Sequence, residues 1–209
     1  NNSVDELQQD YDGNIWVHTS VGYSIYKYDE EQFDRKPEEW LKNIHVQGPP
    51  YKLLIDKDKN MWIAVYGQGL YYHNAKTKNT YLFKFTKKAQ PGCLKEGNIS
   101  KITEVDGDAL ITYGDGTICR VNGQKQKVLW YNSFLANHKA AGDNGAYTFY
   151  DGIGGFWVSV SNANYVYQSK TGKWTDARSY LTNMGIAIPC PTRILMRDIA
   201  RDKAGNLWV

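Results

Sequence analysis

The sequence predicts an all-β protein, a fragment of a β-propeller with about four and a half four-stranded antiparallel blades. An eight-residue segment that starts with Asp and has Trp at its seventh position occurs four times, with the tryptophans at Trp16, Trp62, Trp157 and Trp208. Residues 104–111 form a degenerate fifth copy with Leu110 in the tryptophan position. The copies are 46 to 51 residues apart, a period typical of repeated β-units. The chain is also rich in Tyr (16), Trp (7) and Gly (19), as expected for an aromatic, turn-rich β protein.

Each repeat shows four strand patterns separated by turns. In the first repeat, the Asp12-Gly13 turn precedes a central strand at 15–19, and strands at 23–28 and around Phe33 follow. The same order predicts blades at about 1–36, 50–86, 98–132 and 145–177, and a half blade at 192–209. Seven such blades need roughly 300 residues or more. We therefore expect this chain to be a fragment of a larger, seven-bladed propeller.

The central strands explain why the units must stack. Ile15 and Val17 lie on one face of a strand and Trp16 on the other, because side chains alternate across a strand. The residue two places after the tryptophan is mostly small, as at Ala64 and Ser159, which leaves room for another sheet. Both faces of each sheet therefore need a neighbour. At the open ends of this fragment we expect the remaining blades or a second propeller as that partner.

Charge and cysteine content exclude several classes of function. The formal net charge is +3 without a basic stripe, so no nucleic-acid partner is predicted. No apolar run approaches the roughly 20 residues that span a bilayer. Cys93, Cys119 and Cys190 are far apart and lack C-x-x-C spacing, so the sequence predicts no metal site, no cofactor and at most one disulfide.

The repeated Asp and Trp residues have two interpretations. Turn Asp residues could bind calcium, but Gly13 is fourth in its segment where an EF-hand loop has Gly sixth. We interpret the aspartates as acceptors for turn backbone N–H groups, and the tryptophans as packing residues rather than sugar-stacking rings. The predicted structural anchors are Asp10 with Trp16, Asp56 with Trp62, Asp151 with Trp157, and Asp202 with Trp208.

The connections at one end of the blades are the predicted ligand site. In a propeller, the links from second to third strand and from one blade to the next emerge at the same end, and here the blade links are long, polar and aromatic. No Ser, His and Asp set and no paired carboxylates can be assembled, so no catalytic residue is predicted. The candidate ligand-binding residues are Tyr23, Trp40, Tyr66, Gln68, Tyr113, Asp115, Asn162 and Arg193.

The repeats resemble the two-component regulator propeller repeat, whose pattern reads approximately V-x-x-I-x-x-D-x-x-G-N-[IL]-W-[VI]-G-T-x-x-G-L-x-x-Y. Residues 4–26, 53–72 and 196–209 match it, and the resemblance covers essentially the whole chain. Leu110 departs from it at the tryptophan, and His18 and Ala64 depart at the following glycine.

The resemblance implies the ectodomain of a hybrid two-component sensor. Such proteins carry two propellers, an immunoglobulin-like domain, a membrane span and a cytoplasmic histidine kinase. It implies a periplasmic location, a homodimer in the full-length form, contact with the membrane only through the full-length protein, and an oligosaccharide ligand. The segment itself is then not an enzyme. Two alternatives remain open at this point: a propeller enzyme of the lyase or glycosidase kind, and a protein-interaction scaffold.

Overall fold

The structure is a computed structural model that describes residues 4–19, 22–34, 41–48, 50–87, 93–132, 147–160, 163–186, 200–202 and 204–208. The chain divides into two compact units. The first contains Asn1–Gly97, Asp106–Ala109 and Arg120–Leu129, and the second contains Asn98–Val105, Leu110–Cys119 and Trp130–Val209. The third sheet contributes residues to both.

The first two sheets are antiparallel, with their strands in sequence order. The first contains β1 (Val4–Gln9), β2 (Ile15–Thr19), β3 (Gly22–Lys27) and β4 (Gln32–Asp34). The second contains β5 (Pro50–Ile55), β6 (Met61–Val65), β7 (Gly69–His73) and β8 (Thr80–Thr86), and β9 (Leu94–Lys95) adds to its outer edge in parallel. The sequence predicted only a loop around β9, because a two-residue strand pairing across the blade link leaves no periodic pattern.

The third and fourth sheets have the same topology. The third contains β10 (Ile99–Val105), β11 (Asp108–Tyr113), β12 (Ile118–Asn122) and β13 (Lys127–Asn132). The fourth contains β14 (Tyr147–Tyr150), β15 (Gly155–Val160), β16 (Ala163–Gln168) and β17 (Lys173–Asp176). A two-stranded sheet of β18 (Ala200–Arg201) and β19 (Leu207–Trp208) follows.

Within each unit, the tryptophan face of one sheet packs on the aliphatic face of the next. In the first unit, Trp16 and Tyr23 of the first sheet share a core with Ile63 and Val65 of the second. In the second unit, a separate core joins Leu110 and Ile118 to Phe156 and Val158, so the same rule holds although leucine replaces the tryptophan. Each of the four large sheets contains four strands in sequence order, and this order with the stacking confirms the predicted fold class, a β-propeller fragment.

A helix follows the fourth sheet where the sequence predicted a polar loop. Helix α1 (Ala177–Asn183) is capped at its N-terminus by Asp176, whose side chain accepts a hydrogen bond from the Ser179 backbone N–H at 2.9 Å. Ala177 and Leu181 are buried four positions apart, on one side of the helix. With only seven residues the helix shows too few turns for a clear helical period, although the Asp cap was visible in the sequence.

Candidate functional site

The repeated aspartate is the hydrogen-bonding centre of its blade. In the first blade, Asp10 Oδ1 accepts from the backbone N–H groups of Asp12 and Asn14, both at 2.9 Å. Its Oδ2 accepts from Trp16 Nε1 at 2.9 Å and from Asn14 Nδ2 at 3.1 Å. Gly13 completes the turn with a φ of 85°, where glycine is favoured. This carboxylate therefore ties the turn to the central strand.

The same arrangement recurs in the second blade and the half blade, with different burial. Asp56 accepts from Trp62 Nε1 at 3.2 Å, and both residues are at most 2% exposed. Asp202 accepts from Trp208 Nε1 at 3.1 Å, but Trp208 is 65% exposed. Hydrogen bonds from Asn206 and Trp208 hold the pKa of Asp202 below its usual value.

In the fourth blade a tyrosine replaces one of the aspartate's usual partners. Asp151 Oδ2 accepts from Trp157 Nε1 and from the Tyr180 hydroxyl of α1, both at 3.1 Å. Gly155 stands where the first and second blades and the half blade have Asn, and a Cβ there would lie 2.6 Å from the Tyr180 hydroxyl oxygen. The missing side chain therefore leaves room for Tyr180, whose ring meets Trp157 edge-on. Burial and the Asp151 charge raise the pKa of Tyr180 to about 12.

The third blade has an ion pair instead of the Asp–Trp bond. Asp108, which is 6% exposed, accepts from Arg120 Nε at 2.6 Å and from Asn122 Nδ2 at 2.5 Å. Arg120 also lies 3.8 Å from Asp106. Sequence reasoning placed Asp108 in a surviving turn and missed its partners, which come from the neighbouring strand rather than from the segment itself.

These networks hold the strands whose ends carry the candidate ligand residues. The antiparallel order puts the β2–β3 and β6–β7 connections at the same end as the links between blades. In the first unit, Gln68 of the β6–β7 turn packs against Gly48 of the blade link. A Cβ added at Gly48 would lie only 2.8 Å from Gln68 Nε2. Among the predicted residues of this unit, Tyr66 and Gln68 lie together in the β6–β7 turn.

Tyr66 is exposed, and one face of its ring packs on a buried tyrosine. Its ring is 62% exposed and stacks on the ring of Tyr51, with centroids 4.1 Å apart and an interplanar angle of 23°. Tyr51 is only 6% exposed. The sequence analysis did not select Tyr51, although its position next to the first residue of β5, opposite the end of β6, was a usable indication.

Gln68 is held by both its side chain and its backbone. Its Oε1 accepts from the Tyr71 hydroxyl at 2.5 Å, and its backbone carbonyl accepts from the Phe85 N–H at 2.9 Å. Gly69 follows with a φ of 143°, and a Cβ there would lie 2.0 Å from the Phe83 carbonyl oxygen. Only glycine fits at this point, so the exit of the turn is fixed.

Tyr23 occupies a different environment. It is 8% exposed and stacks on His18 with centroids 4.5 Å apart. Burial, and then the Glu6 charge, raise the pKa of the Tyr23 hydroxyl far above its ordinary value. Tyr23 is opposite His18 and therefore on the tryptophan face, where it contributes to the core between the first two sheets.

In the second unit, Tyr113 is buried and Asp115 is exposed. Tyr113 is 1% exposed, and burial raises the pKa of its hydroxyl, which faces Cys119 and Tyr131. Asp115 lies in the turn after β11, where its carboxylate accepts from the Thr117 N–H at 2.8 Å. Trp40, Asn162 and Arg193 fall outside the residues that the structure describes.

Within the described parts of the chain, no group of three His, Cys, Asp or Glu side chains is placed to hold a metal ion. None of the helices in these parts has both the length and the apolar character needed to cross a bilayer.

Comparison with known proteins shows the same fold in solved structures. No family model matches the sequence, and no curated protein matches it significantly. The chain aligns over 100% of its length with the extracellular domain of the proposed hybrid two component system BT3049 from B. thetaiotaomicron, at 16% identity and a TM-score of 0.63. It aligns over 97% with the extracellular domain of the proposed hybrid two component system BT4673 from B. thetaiotaomicron, at 15% identity and a TM-score of 0.56.

A third similar structure is PorZ, a surface component of the type-IX secretion system of Porphyromonas gingivalis, with 84% of this chain aligned at 12% identity and a TM-score of 0.54. The chain covers 27%, 27% and 21% of these three proteins, so it is similar to about a quarter of each. At this identity the likeness shows a shared propeller fold.

Proposed function

We propose that this chain is part of the periplasmic sensor region of a hybrid two-component system and that the region binds an oligosaccharide. The observation that carries the proposal is the structural alignment of this whole chain with 27% of the extracellular domain of BT3049. The Asp–Trp repeats agree with it, because they resemble the propeller repeat of such sensors. In this proposal the segment binds ligand without turnover, and a histidine kinase lies elsewhere in the full-length protein.

The oligosaccharide part of the proposal is supported by the chemistry at one end of the second blade. Tyr66 presents an exposed ring and Gln68 an amide within the same turn. A sugar offers C–H groups to an aromatic face and hydroxyl groups to an amide, so this pair suits it.

Signalling requires that the ligand distinguish two arrangements of the sensor. We propose that the full-length protein is a homodimer and that ligand binding changes how its propellers are arranged. A ligand shifts such an equilibrium only by its difference in affinity for the two states. A site beside the links between blades suits this role, because Gln68 lies against Gly48 of such a link.

The proposal is tested on the full-length ectodomain with a panel of oligosaccharides. We expect calorimetry to detect binding of at least one glycan without its cleavage, and the same glycan to increase kinase-dependent reporter output in cells. Glycan cleavage by the purified ectodomain would favour a propeller enzyme. Capture of a protein partner in the absence of glycan binding would favour a scaffold.

A further inference from the structure

Tyr66 differs from the other tyrosines considered for ligand binding because its ring is accessible. Tyr23 and Tyr113 are 8% and 1% exposed, whereas Tyr66 is 62% exposed. Tyr66 also follows β6 directly, so a strand that is buried along its whole length fixes its backbone. An accessible ring on a rigid strand end can contact a ligand without rearrangement of the blade.

The ring of Tyr66 is held in place before any ligand binds. It stacks on Tyr51 at 4.1 Å, and Tyr51 is itself buried. One face of the Tyr66 ring therefore rests on the protein and the other is available. Because the ring has little freedom left to lose, binding to it carries a small entropic cost.

Gln68 provides a directed hydrogen-bond donor in the same turn. Its Oε1 is occupied by the Tyr71 hydroxyl, which fixes the orientation of the amide. Among the described residues none accepts a hydrogen bond from its Nε2, which packs against Gly48 and keeps two N–H groups for a ligand.

We infer that Tyr66 and Gln68 form a subsite for a single pyranose unit, with its C–H face on the Tyr66 ring and a hydroxyl oxygen accepting from Gln68 Nε2. The aromatic face is negative and the sugar C–H groups are slightly positive, so the stacked arrangement is favoured. Sugars with mainly equatorial hydroxyl groups, such as β-linked glucose or xylose, present the flattest C–H face and fit best. This inference rests on the proposed function and assigns one of its contacts.

The test uses the full-length ectodomain and hexasaccharides of β-linked glucose, xylose, galactose and mannose. Saturation-transfer NMR identifies the bound sugars, and calorimetry then measures the dissociation constant of the best one for each variant. We expect Tyr66→Ala to weaken binding about tenfold or more. Tyr66→Phe keeps the ring and should stay within about twofold of the wild type, and Gln68→Ala should give an intermediate loss.

Tyr28→Ala is the matched control. Tyr28 is 67% exposed, much like Tyr66, but lies in the turn between β3 and β4, at the opposite end of its blade. Its removal should leave affinity unchanged. If a sugar binds and Tyr66→Ala remains within twofold of the wild type, the subsite is refuted while the proposed function stands. If the wild type binds no sugar of the panel or of a wider glycan array, both are refuted.

Discussion

Replacing Asp56 should destabilise the protein far more than the same change at Asp202. Both carboxylates accept from a backbone N–H, an Asn side chain and a Trp indole in the same geometry. They differ in burial, because Trp62 is 1% exposed and Trp208 is 65% exposed. The pair therefore separates the effect of burial from that of hydrogen-bond geometry.

The magnitude follows from the donors that Asp56→Ala leaves without an acceptor. Four hydrogen bonds of 2.9 to 3.2 Å end on Asp56, and three of their donors are on the buried Asn60 and Trp62. An unsatisfied buried donor costs about 1–3 kcal/mol. Because a water molecule can occupy the vacated space and satisfy some of them, we expect a total loss of about 3–5 kcal/mol.

The assay is urea unfolding of the 209-residue chain by itself, in which no further blade covers Leu7 or Trp208, followed by tryptophan fluorescence and by far-ultraviolet circular dichroism. Asp56→Ala should lower the unfolding midpoint clearly, and Asp56→Asn less, because the amide keeps one acceptor oxygen. Asp202→Ala should leave the midpoint unchanged, since water replaces the lost acceptor at an exposed site. Equal effects at Asp56 and Asp202 would refute the argument that burial determines the contribution of this network.

Three further results are expected. In the 209-residue chain by itself, Leu53→Ala should cost about 2–4 kcal/mol of unfolding free energy, because Leu53 is 7% exposed. Leu7→Ala at the matching position of the first blade should change the unfolding free energy of the same chain by less than about 0.5 kcal/mol, because Leu7 is 63% exposed there, and urea unfolding measures both. Tyr180→Phe should cost about 1–2 kcal/mol by the same assay, through the lost bond to Asp151, and no loss would contradict that bond. Hydrogen bonds donated by Ser179 hold the pKa of Asp176 below its usual value. The cap therefore stabilises α1 fully above the ordinary aspartate pKa, and this stabilisation is lost as the pH falls through the lowered pKa. Amide exchange in α1 should show the loss, and Asp176→Asn should abolish the pH dependence.

The strands could be predicted from the sequence because they depend on local patterns. The Asp12-Gly13 turn and the alternation from Ile15 to Thr19 lie within ten residues, and β2 spans the predicted Ile15–Thr19. Helix α1 and strand β9 were not predicted, because one is a single short element and the other pairs two residues across a blade link. Sequence patterns as short as these two elements also occur by chance and therefore do not identify a helix or a strand.

The candidate site was predictable as a position in the fold and less so as a set of side chains. Topology alone placed Tyr66 and Gln68 at the end that carries the blade links. Alternation could also have shown that Tyr23 lies on the tryptophan face, because it is opposite His18. The position of Tyr51 at the start of β5 was a usable indication, but the sequence does not reveal the register shift between Pro50 and Lys52 that occurs at the Tyr66–Tyr51 stack.

The third and fourth blades show what the repeat must provide. A buried carboxylate is stable only when hydrogen bonds or an opposite charge compensate its desolvation. Tyr180 helps to meet this requirement for Asp151, and Arg120 meets it for Asp108. Both partners lie outside the eight-residue segment, so the local pattern changes while the requirement is kept.

A consequence is that Leu110→Trp should not stabilise the third blade. In the other blades the indole N–H is accepted by the Asp six positions earlier, but that position is Glu104 here, and Asp108 is already paired with Arg120 and Asn122. Leu110 is 2% exposed within a filled core, so the larger ring should also introduce strain. A gain in the urea midpoint for this variant would show that the Asp–Trp bond, rather than compensation of the buried carboxylate, is what stabilises a blade.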